Sequence, residues 1–234
     1  MAMKKITILI SILFFGAVQQ TSYAQDFNEI IKATASDRGV DDQFGRSVSI
    51  SGDYAVVGAI VEDEDTSGGN TLSDAGAAYV YERDAGGNWA EVQKIVASDR
   101  DPNDRFGRSV SISGNYLVVG AIYEAEDASG GNTKLDAGSA YIFQRDAGGN
   151  WVEIQKIVAS DRGESDLFGW SVSISGDYLV VGAYQEDEDA SGGNTLFNAG
   201  STYIFERDAG NNWAEVQKIV ASDRAPFGDQ FGVS

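Results

Sequence analysis

The residues best equipped for chemistry recur in three acidic stretches: Glu62-Asp63-Glu64-Asp65, Glu124-Ala125-Glu126-Asp127 and Glu186-Asp187-Glu188-Asp189, each running into a Ser-Gly-Gly-Asn tail. Calcium takes six to eight oxygens from carboxylates, amides and backbone carbonyls on a turning loop, so calcium is the cofactor these stretches suggest. Asp63, Asp65, Asn70 and Asp74 are the candidate ligands in the first copy, Asp127, Asn132 and Asp136 in the second, and Asp187, Asp189 and Asn194 in the third. The spacing matches no strict calcium signature, so a solvated acidic loop is the competing reading. A second set consists of residues that break the repeat. Trp170 stands where the other copies carry Arg46 and Arg108, and Tyr123 and Tyr184 vary beside the long loops. An exposed aromatic there could stack on a sugar or anchor a protein, while for Trp170 the filling of a gap between repeats is the alternative.

Much other chemistry is closed off. The 234 residues contain no histidine and no cysteine, which removes imidazole metal sites, Ser-His-Asp triads and disulfides. The formal net charge is −19, which repels phosphate backbones and anionic membranes, so nucleic acid is not an expected partner.

The elements that must position these residues follow from a repeat. Phe44-Gly45, Phe106-Gly107, Phe168-Gly169 and Phe231-Gly232 mark four starts, and Trp89, Trp151 and Trp213 keep the same beat of 62 residues. Such a period means one supersecondary unit per repeat, with a core completed by stacking neighbours. Within the first unit, Val48 and Ile50 alternate with serines as a two-faced strand, and Ser51-Gly52-Asp53 supplies a tight turn. Tyr54 to Ala59 is nearly continuous apolar sequence, as in a strand covered on both faces. Gly76 to Arg83 is a third strand, and Trp89 to Val96, with its interspersed charges, is an outer edge. Four antiparallel strands per repeat, arranged radially, describe a β-propeller blade. The expected fold is therefore all-β: three complete blades at 44–105, 106–167 and 168–230, with the start of a fourth at 231–234. The repeated Ser-Asp-Arg (Ser36-Asp37-Arg38 and its copies) reads as an Asx-type turn with a local ion pair.

Residues 1–24 read as a secretory signal, with Lys4-Lys5, an apolar run from Ile6 to Val18, and a small-residue cleavage site at Ser22-Tyr23-Ala24. No later run is apolar enough to cross a bilayer, so the expected location is secreted, periplasmic or cell-surface, with no transmembrane segment after cleavage. Residues 25–43 contain a lone outer strand, because Phe27 to Asp37 aligns with Trp89 to Asp99. In a closed ring that strand completes the last blade. Three blades are fewer than the roughly four to eight that close a propeller, so the expectation is a piece of a larger ring, with self-assembly of open arcs as the alternative.

The Phe-Gly starts, together with Val56-Val57-Gly58-Ala59, Val118-Val119-Gly120-Ala121 and Val180-Val181-Gly182-Ala183, resemble the FG-GAP repeat family, known from the seven-bladed propeller of integrin α subunits and from secreted bacterial proteins. The resemblance implies a propeller, in the integrin case of seven blades, and a role in adhesion. Integrin-type blades often carry a calcium loop between the Phe-Gly and Gly-Ala segments. Here that interval holds only Ser51-Gly52-Asp53, Ser113-Gly114-Asn115 and Ser175-Gly176-Asp177, so the family's cation site does not carry over.

The expected function is a non-catalytic interaction module binding a protein or glycan, ordered by calcium if the acidic loops hold it. The alternatives are a carboxylate-dependent glycan lyase or hydrolase, and a scaffold or spacer for a further domain.

Overall fold

The computed structural model describes residues 31–193, 195–225 and 229–234, and its main compact unit runs from Ala33 to Ser234. The leader at 1–24, the beginning of the lone outer strand and Asn194 lie outside the described residues. Residues 31–43 carry a turn at Asp37 and are not assigned to a strand.

The unit is built from twelve strands in three four-stranded sheets, with no helix among the described residues. The first sheet is β1 (Phe44–Ser51), β2 (Tyr54–Ala59), β3 (Ala77–Arg83) and β4 (Trp89–Ile95). The second is β5 (Phe106–Ser113), β6 (Tyr116–Ala121), β7 (Ser139–Arg145) and β8 (Trp151–Ile157). The third is β9 (Ser171–Ser175), β10 (Tyr178–Ala183), β11 (Ser201–Arg207) and β12 (Trp213–Ile219). In every sheet the strands pair antiparallel in chain order, the arrangement of a propeller blade.

The blades stack face to face, which explains the unbroken apolar run of the second strand. Leu117 and Val119 of β6 point into the core shared with the first blade, and Val118 points into the core shared with the third. Phe106 lies edge-on to Tyr141 and Phe143, and Phe168 repeats the contact with Tyr203 and Phe205. The outer strands are clamped by an amide: Gln93 accepts from the Trp151 N–H at 2.7 Å and donates to the Trp151 carbonyl at 2.8 Å, and Gln155 does the same for Trp213. The inner strands are joined by serines, with Ile112 N donating to Ser49 Oγ and Ile174 N to Ser111 Oγ.

The Phe-Gly of each blade docks onto the Gly-Ala of the blade before it. Gly107 takes φ +91°, a backbone region that favours glycine, and its carbonyl accepts from Ser47 Oγ at 2.9 Å. That carbonyl lies where a Cβ on Gly58 would have to go, and Gly169 stands in the same relation to Gly120. The outer faces of this three-blade stack are open. Val48 and Ile50 on β1 are 69% and 65% exposed, whereas their equivalents Val110 and Ile112 on β5 are 7% and 5% exposed.

Candidate functional site

The acidic residues divide into two groups, and both have partners inside the protein. In the first group, Glu62 is buried just after the turn that follows β2 and meets Asp37, which arrives from the segment preceding the blade. Tyr79 Oη donates to both carboxylates, at 2.8 and 2.9 Å, and Lys94 Nζ sits 2.7 Å from Asp37 and 3.2 Å from Glu62. The second blade repeats this lock with Asp99, Glu124, Tyr141 and Lys156, and the third with Asp161, Glu186, Tyr203 and Lys218. Burial disfavours ionisation of Asp37, but hydrogen bonds from Lys94 and Tyr79 outweigh it and hold the carboxyl below its ordinary range. Burial and the adjoining acids push the Tyr79, Tyr141 and Tyr203 phenols far above theirs, so all three remain donors.

The Ser-Asp-Arg repeat does turn the chain at Ser36-Asp37 and its copies, but its ion pair is not local, and the segment straps one blade to the next. Ser98 donates through N and Oγ to Glu153, Asp99 pairs with Lys156, and Arg100 donates to the carbonyls of Asp63 and Asn70 in the preceding blade. Arg162 holds the carbonyls of Ala125 and Asn132 in the same way.

The second acidic group contains the predicted calcium ligands. Asp65 Oδ1 accepts from Ser67 N, Ser67 Oγ and Gly69 N, which close the loop and hold its carboxyl below the ordinary range. Asp127 and Asp189 make the same turns, and Asp127 also takes the Asn132 side-chain amide at 2.5 Å. Asp63 Oδ1 accepts from Asp74 N, and Asp187 Oδ1 from Asn198 N. Asn70, Asp74, Asn132 and Asp136 occupy left-handed backbone, at φ from 44° to 55°, which Asn and Asp tolerate better than most residues. Among the described residues, the acidic groups close enough to share an ion are Asp37-Glu62-Glu64 and Asp161-Glu186-Glu188, and a lysine ammonium already lies against two carboxylates of each.

Two buried pairs went unread in the sequence. Asp104, two residues before Phe106, is 4% exposed and lies near Glu124, and Asp166 bears the same relation to Glu186. Burial first, and the neighbouring glutamate second, raise both aspartates well above the ordinary carboxyl range. An Asp two residues before every Phe-Gly (Asp42, Asp104, Asp166, Asp229) was the available signal.

The repeat-breaking residues do converge. Between Phe106↔Ala121 and Ser109↔Gly120, the inner strand carries two residues more than its partner, a bulge that throws Arg108 out of the ladder, and β1 does the same with Arg46. Trp170 occupies this position in the third blade, its N–H shared between the carbonyls of Leu167 and Gly182. The Arg108 guanidinium lies 3.7 Å from the Trp170 ring centroid, Trp170 meets Tyr184 at 4.2 Å, and Arg105 lies 5.0 Å from the Tyr123 ring. Arg46, Tyr123 and Tyr184 all act electrostatically on Arg108, and burial together with Arg46 lowers it to about 10, still cationic at neutral pH. Trp170, Tyr123 and Tyr184 are each half-buried, and Gln185 donates to the Tyr184 hydroxyl at 3.1 Å.

A family model described as FG-GAP repeat matches residues 27–81, 89–143 and 151–205, well over half of the chain. The chain belongs to the FG-GAP repeat family. A search of curated proteins returned no match. The FG-GAP matches at 89–143 and 151–205 each extend from the outer strand of one blade into the third strand of the next, so the family's unit is staggered by one strand against the blade. Each such segment therefore carries a Phe-Gly that docks on the Gly-Ala of the blade before and a Gly-Ala that receives the Phe-Gly of the blade after, so the FG-GAP signature marks the two sides of successive blade junctions.

Proposed function

We propose that this FG-GAP chain is a non-catalytic, exported interaction module that binds a protein or glycan through the loop face where the inner strands begin. The observation that carries the reading is the contrast between the two kinds of side chain on that face. The repeated acids are committed to lysine, tyrosine and loop amides, whereas the non-repeated aromatics Trp170, Tyr123 and Tyr184 gather beside Arg105 and Arg108 at the inner-strand bulge. Export rests on the leader read in residues 1–24.

A carboxylate enzyme has one observation in its favour, the Asp104-Glu124 and Asp166-Glu186 pairs, since paired acids in different environments are how general acid and base are made. Those pairs are buried at 2–5% exposure and repeat from blade to blade, as structural parts do. Probing the purified protein against arrayed glycans and surface proteins tests the module reading. Retained binding without turnover is expected. Turnover lost in Asp104→Asn or Asp166→Asn, with the fold intact, would replace it by the enzyme.

A further inference from the structure

We propose that Arg46 and Arg108, flanked by Trp170, Tyr123 and Tyr184, form a subsite for a single carboxylated sugar, a uronic acid residue within an otherwise neutral glycan. The proposal rests on the interaction-module reading and names its ligand.

The first argument is charge. From Phe44 onward the other basic side chains are engaged: Lys94, Lys156 and Lys218 with carboxylates, Arg100, Arg162 and Arg224 with loop carbonyls, Arg83 and Arg207 with aspartates, Arg105 with Asp74 at 3.9 Å, Arg145 with Asn115, and Lys134 with the Arg162 carbonyl. The guanidiniums of Arg46 and Arg108 make no ion pair or hydrogen bond with any described residue, Arg108 resting instead on the Trp170 ring. Yet they occupy the same bulge position on the adjoining inner strands β1 and β5, in a chain with 36 acidic and 17 basic side chains. Two adjacent guanidiniums repel, and an anion bridging them removes that penalty while gaining charge-assisted hydrogen bonds.

The second argument is preorganisation. Stacking on Trp170 fixes the plane of the Arg108 guanidinium while leaving its N–H edge unused, the geometry for a two-point contact with a carboxylate. The bulge sets the backbone beneath it, with Arg108 N donating to the Arg105 carbonyl at 3.2 Å. The third argument is the rim. Tyr123 and Tyr184 offer ring surface to pyranose C–H groups, and their hydroxyls and the Gln185 amide offer partners to sugar hydroxyls. Beyond Tyr123 the cleft wall carries the accessible acids Asp101, Glu126 and Asp136, which disfavours a densely charged polyanion.

The test titrates methyl β-glucuronide, methyl β-glucoside and N-acetylaspartate amide into the purified protein while the four tryptophan indole N–H signals are followed by NMR, that of Trp170 being assigned with Trp170→Phe. The expected result is a saturable shift of the Trp170 signal by the glucuronide, about tenfold weaker binding of the glucoside, and loss of that preference in Arg46→Ala and Arg108→Gln. Unchanged signals from Trp89, Trp151 and Trp213 in the variants show that the blades remain folded. Equal binding of glucuronide and glucoside, no shift with either, or tighter binding of the aspartate amide each overturns the uronate subsite. On glycan and protein arrays, binding that Arg108→Gln leaves intact overturns the subsite alone, whereas no binding by the wild type overturns the module reading beneath it.

Discussion

At the scale of single residues, the acidic face is decided by which partner each carboxylate has. Lys156 is nearly buried between Asp99 and Glu124. Replacing it by methionine leaves two carboxylates facing Tyr141 with no cation, and a loss of about 3–5 kcal/mol of stability is expected in chemical denaturation. Asp104 and Asp166 behave oppositely. Their folded-state ionisation is raised by burial, so their contribution to stability is present below the unfolded carboxyl pKa near 4 and is lost as pH rises through the raised value. Asn keeps the acceptor that Asp104 offers to the Asp101 N–H without the charge. Asp104→Asn and Asp166→Asn should therefore raise Tm at pH 9 by about 2 °C or more and change it little at pH 4, measured by thermal melts at the two pH values. Equal effects at both would show that the buried charge is not the cause. Gly120 is set by space, because a Cβ there meets the Gly169 carbonyl. Gly120→Ala should cost at least about 2 kcal/mol, read from the same denaturation curves.

At the scale of elements, the strand order was legible because each strand has its own pattern: alternation in Phe44–Ser51, a continuous apolar run in Tyr54–Ala59, aromatics in Ala77–Arg83 and mixed charge in Trp89–Ile95. The loops were less legible. Asp63, Asp65 and Asp127 look alike to a metal-ligand count, but whether an aspartate closes its own turn or faces an ion depends on backbone angles and partners that composition does not carry. The lock partners are also distant in sequence, Lys156 from Asp99 by 57 residues, and the fold that joins them had to be seen. Because loop amides and lysines already satisfy these acids, we expect millimolar calcium to shift Tm by less than about 2 °C, an effect below about 1 kcal/mol. A larger shift, abolished in Asp63→Asn/Asp65→Asn, would show that the loops hold the ion after all.

At the scale of the whole molecule, the period of 62 residues announced stacked blades, and stacking accounts for the two kinds of face. Ile112 is buried between two blades, while Ile50, the same residue one repeat earlier, lies open on β1. Ile112→Ala should cost about 2–5 kcal/mol and Ile50→Ala no more than about 0.5 kcal/mol in this chain. The site was legible only as departure from the repeat: Trp170, Tyr123 and Tyr184 stood out by difference, but their convergence on Arg108 needed the inner-strand bulges to be seen in three dimensions. The central claim is that the repeated acids build the blades and the bulge arginines, with the non-repeated aromatics beside them, make the contacts. Its most direct test is to measure, on one glycan and protein array, wild type beside Arg46→Ala/Arg108→Gln and Asp63→Asn/Asp65→Asn. The account predicts binding lost in the arginine variant and kept in the aspartate variant; the reverse pattern would contradict it.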